Sequence, residues 1–103
     1  MMEMDQSASL RGAWVHSFEE DEGAVQVYRP SNSFTLPPSR RNRETLEFDT
    51  PGQVIVGSPG PDDKLVRTVA SLTPLGMNRF RLGETRVIEV VEQGSDILKV
   101  RPV

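Results

Sequence analysis

Turn residues punctuate this chain roughly every 8–12 residues, and that rhythm leaves room for little except short strands. Thr50-Pro51-Gly52, Ser58-Pro59-Gly60-Pro61, Thr73-Pro74-Leu75-Gly76, Gly83-Glu84-Thr85 and Gln93-Gly94-Ser95 each bring together residues that break a ladder or set turn geometry. The runs between them alternate with period two or are rich in β-branched residues. Eight strands are predicted: Leu10–Phe18, Ala24–Tyr28, Glu44–Asp49, Gln53–Gly57, Lys64–Leu72, Asn78–Leu82, Arg86–Glu92 and Asp96–Arg101. No stretch carries a helical period to compete with them. The series predicts an all-β fold, a small antiparallel eight-stranded up-and-down barrel. An open, flattened barrel or two-sheet sandwich is the rival. Closing the ring removes the edges that invite aggregation.

At 103 residues the chain is read as one domain. Met1–Ser9 is a polar N-terminal extension, disordered or at most one helical turn, and residues 10–103 form the barrel. Ser31–Arg43 has neither period; Pro37-Pro38 gives it the character of an ordered, extended loop. Only 36% of residues are hydrophobic, which suits a thin barrel with a modest core. That core is predicted as Leu10, Trp14, Val25, Val27, Leu46, Phe48, Val54, Val56, Val69, Phe80, Leu82, Ile88, Val90, Leu98 and Val100. The face chosen in the later strands is sensitive to register, since a one-residue slip inverts it.

Composition excludes several classes of chemistry. Without cysteine there are no disulfides, thiolate nucleophiles or cysteine metal sites. The start lacks the apolar core of a signal peptide, so a cytoplasmic location is expected. No run approaches the roughly 20 apolar residues of a spanning helix, and no membrane partner is expected. A formal net charge of −3 gives no global pull toward nucleic acid.

Gly12-Ala13-Trp14 on the first strand, with Arg101 on the last, resembles the Gly-X-Trp and closing Arg of lipocalins and other calycin-type barrels. The resemblance implies that Trp14 seals one end of the barrel and that Arg101 packs over it, closing the ring between first and last strands. A guanidinium over an indole is worth roughly 0.5–2 kcal/mol. The stretch Val25–Phe48, with Tyr28-Arg29-Pro30 and Pro37-Pro38-Ser39-Arg40, is similar to small bacterial proteins of uncharacterised function, and implies no activity.

Apart from Lys64 and Lys99, all basic residues are arginines. Arg29, Arg40, Arg41 and Arg43 lie in or beside the proline-rich loop, in a stretch free of acids from Gly23 to Arg43. Arginines held by rigid neighbours can fork a carboxylate or phosphate. A ligand site at the barrel mouth would therefore use Tyr28, Arg29, Arg40 and Arg41, with Trp14 and His16 deeper. The acidic run Glu19-Glu20-Asp21-Glu22 offers the same arginines a partner within the chain, and that is the favoured account. His16 has no recognisable nucleophile beside it and reads as structural. Glu19–Glu22 and Asp62-Asp63 lack metal-ligand spacing, and no cofactor is implied. Glu44, Glu47, Glu89 and Glu92 have no spacing that marks a catalytic carboxylate pair. No enzyme is expected. The first expectation is a non-enzymatic barrel binding a small anionic or amphipathic molecule at its mouth. The alternative is a structural or protein–protein interaction domain with a fully packed interior, its protein partner unknown.

Overall fold

The structure is a computed structural model that describes residues 10–31, 43–60 and 64–103. Met1–Ser9, Arg40, Arg41, the Pro37-Pro38 segment and Asp62-Asp63 lie outside the described residues. Strand β1 spans Ala13–His16, β2 Gln26–Pro30, β3 Thr45–Glu47, β4 Gln53–Pro59, β5 Leu65–Gly76, β6 Arg79–Leu82, β7 Arg86–Gln93 and β8 Leu98–Pro102. They close into an antiparallel up-and-down barrel in the order β1-β2-β8-β7-β6-β5-β4-β3.

Local chemistry accounts for several strand ends. β1 begins three residues later than the alternation predicts: Gly12, at φ +88°, leaves the strand conformation, although its carbonyl still accepts from Phe48 N at 2.9 Å. In Thr50-Pro51-Gly52-Gln53, Gly52 takes φ +77° and the Gln53 amide donates to the Thr50 carbonyl at 3.1 Å. That is a type II turn, with proline and glycine where such a turn wants them. The expected turn at Thr73–Gly76 is instead strand. Pro74 is accommodated beside a bulge between Pro74 and Gly76, and the hairpin turns at Met77-Asn78, with φ of 54° and 63°. A single 3-10 turn, Phe18–Glu20, stands in the acidic loop.

From β3 to β8 each strand pairs with its successor. The first hairpin enters the ring in reverse, so that β1 lies between β2 and β3 while β2 meets β8. β2 and β3 thus run parallel on either side of β1. Parallel strands need a crossover of about a dozen residues or more, which gives the long Ser31–Glu44 connection its topological reason. Its ends are pinned to β1: Ser31 N donates to Ala13 O at 3.0 Å, and Glu44 O accepts from His16 N at 2.8 Å.

The inward faces meet in one contiguous cluster of Leu10, Trp14, Tyr28, Leu46, Phe48, Val54, Leu72, Phe80, Leu82, Ile88, Val90, Leu98 and Val100, with Val56 and Ala70 against it. Three expectations differ. Val69 is 60% exposed, because β5 turns Ala70 and Leu72 inward, one residue out of step with the predicted face. Val25 stays half-buried in the loop before β2. Tyr28, predicted as a ligand group, is fully buried. Trp14 is buried, and its indole N–H donates to the Arg11 carbonyl at 2.9 Å. Trp14→Ala is expected to cost about 3–5 kcal/mol of unfolding free energy, read from urea titrations followed by circular dichroism. A loss below about 1 kcal/mol would show that the indole does not fill the barrel.

Candidate functional site

One end of the barrel is polar inside. His16, Tyr28, Glu44 and Arg86 share the inward face with Trp14, Leu46 and Leu82, because each is an even number of residues from a core position. Arg86 opens β7 and Glu44 directly precedes β3, and these two strands stand opposite each other in the ring. Their side chains meet across the mouth. Arg86 Nη1 donates to Glu44 Oε2 at 3.0 Å and Nη2 to Oε1 at 3.2 Å, a bidentate fork. The Tyr28 hydroxyl donates to Glu44 Oε1 from the wall of β2. His16 stacks on the Tyr28 ring, with centroids 5.0 Å apart. Its Nε2 lies 3.0 Å from both carboxylate oxygens of Asp21, which also accepts the Val27 amide at 2.9 Å.

The ionisation states follow from these contacts. Burial alone would raise the Glu44 carboxyl, but the hydrogen bonds from Arg86 and Tyr28, with the charges of Arg86 and His16, outweigh it and hold Glu44 below its ordinary value. Burial, then the charge and hydrogen bond of Glu44, raise the Tyr28 phenol well above its ordinary value. Tyr28 is therefore a neutral donor and Glu44 an ionised acceptor. Beside the His16–Asp21 pair, the Ser17 hydroxyl is buried and donates to Glu20 Oε2 at 2.7 Å. Among the described residues no three His, Cys, Asp or Glu converge as metal ligands.

Outside the barrel, the acidic loop meets the arginines. Arg29 forks Glu20, with Nε to Oε2 at 2.9 Å and Nη2 to Oε1 at 2.6 Å, and donates to the Asp96 carbonyl at 2.9 Å. Arg43 forks Glu19 at 2.9 and 2.6 Å, donates to the His16 carbonyl at 3.0 Å and lies 4.5 Å from the Phe18 ring centroid. Tyr28 and His16 are thus brought together inside the mouth, while Arg29 is held on the outer wall against Glu20. Arg40 and Arg41 lie outside the described residues. Arg101 pairs with Glu89 on the outer face of β8, whose neighbour is β2. The expected placement of Arg101 over Trp14 fails on parity: Leu98 and Val100 point inward, so Arg101 points out.

Sequence reasoning missed Arg86 altogether and found in Glu44 only a strand carboxylate without catalytic spacing. The signal available was charge at an inward parity position: Glu44 is two residues before Leu46, and Arg86 two before Ile88. The chain matches no protein-family model, no curated protein and no solved structure.

Two measurements check these assignments. The Arg29 and Ser17 hydrogen bonds hold Glu20 down at about 2, from an ordinary value of 4.5. A depressed carboxyl stabilises the fold above its unfolded value and loses that contribution as pH falls through the folded one. Stability is thus expected to fall between pH 4.5 and about 2, and Glu20→Gln should flatten that stretch of the pH–stability profile; an unchanged slope would refute the pairing. Tyr28 is the chain's only tyrosine. Its phenolate absorbance is expected to appear only with alkaline unfolding; smooth ionisation near pH 10 in the folded protein would contradict the buried Tyr28–Glu44 bond.

Proposed function

We propose that this domain is a non-enzymatic protein–protein interaction module, a packed barrel whose outer surface does the binding. The observation that carries this reading is the continuous cluster of side chains along the barrel axis, with the Arg86–Glu44–Tyr28 bridge across the polar mouth. A ligand cavity of the drug-sized kind needs about 300 Å³ or more, and the inward faces devote their positions to Trp14, Tyr28, Phe80 and large aliphatic residues. Arg29, expected to hold an anion at the mouth, has a partner, and so does Arg43; Arg40 and Arg41 lie outside the described residues. Arg29 is committed to Glu20 and Arg43 to Glu19, within the same loop that the acidic run occupies. A bound anion would have to displace a carboxylate at 2.6 Å in each case.

A lipocalin-type ligand barrel remains the competing proposal, and one atom favours it: Gln26 Oε1, on the inward face of β2, is buried without a hydrogen-bond partner among the described residues. Thermal unfolding in the presence of phosphate, citrate, nucleotides, fatty acids and bile acids separates the two. A ligand that binds the native state stabilises it by mass action, by about 2.7 kcal/mol at a hundredfold excess over its dissociation constant. The packed module is expected to show an unchanged Tm with every compound. A saturable upward shift with any of them, abolished by Gln26→Leu, would replace this reading with the ligand barrel.

A further inference from the structure

We draw no further inference here: the strongest candidate, the exposed edge of β5 from Leu65 to Val69, which lies beyond its pairing with β6 at Leu72–Gly76, carries nothing because nothing in the structure shows what covers it.

Discussion

β1 is four residues long, yet it carries backbone hydrogen bonds to β2 on one side and β3 on the other, and the ring closes only through it. Trp14 sits in the middle of that strand, level with Pro30 on β2 and Leu46 on β3. Its indole reaches the barrel axis while its backbone joins the two halves of the ladder. The other placements follow from this arrangement. With β1 occupying the slot between β2 and β3, β2 must take β8 as its outer neighbour, and the chain must cross from Ser31 at one end of β1 to Glu44 at the other.

Charge is laid out in two layers around that seam. The outer layer is the acidic loop, whose Glu19 and Glu20 engage Arg43 and Arg29 and fasten the loop to the crossover and to β2. Exposed ion pairs of this kind contribute at most about 1 kcal/mol each, so their effect is mainly to orient the loop and to neutralise the arginines. The inner layer is the Arg86–Glu44–Tyr28 bridge. There the opposite walls of the barrel are joined by a half-buried fork, and a group left alone by mutation would be costly because water only partly reaches it. Together the layers pair Arg29, Arg43 and Arg86, among the described residues, with carboxylates of the same chain.

The calycin resemblance illustrates where short motifs lose their force. Gly12-Ala13-Trp14 does place a buried Trp on the first strand. Arg101, however, lies on the outer face of a strand that is not adjacent to β1, and it pairs with Glu89. A three-residue motif reports local backbone and one large side chain; the partner that completes it depends on ring order and on parity along a distant strand.

Strand number, the all-β class and most of the core were legible because they depend on local chemistry: period-two alternation, and prolines and glycines that can occupy only certain dihedral regions. The matching of Glu19 and Glu20 with Arg43 and Arg29 was legible for a similar reason, since opposite charge on neighbouring segments needs no exact register. Tertiary structure alone decided the entry of the first hairpin in reverse, the inward face of β5 and the meeting of Arg86 with Glu44 across the barrel. Each depends on pairing between residues distant in sequence, where a shift of one position turns a side chain from core to solvent. Local patterns therefore determine which segments become strands, and only closure of the ring determines what each strand faces.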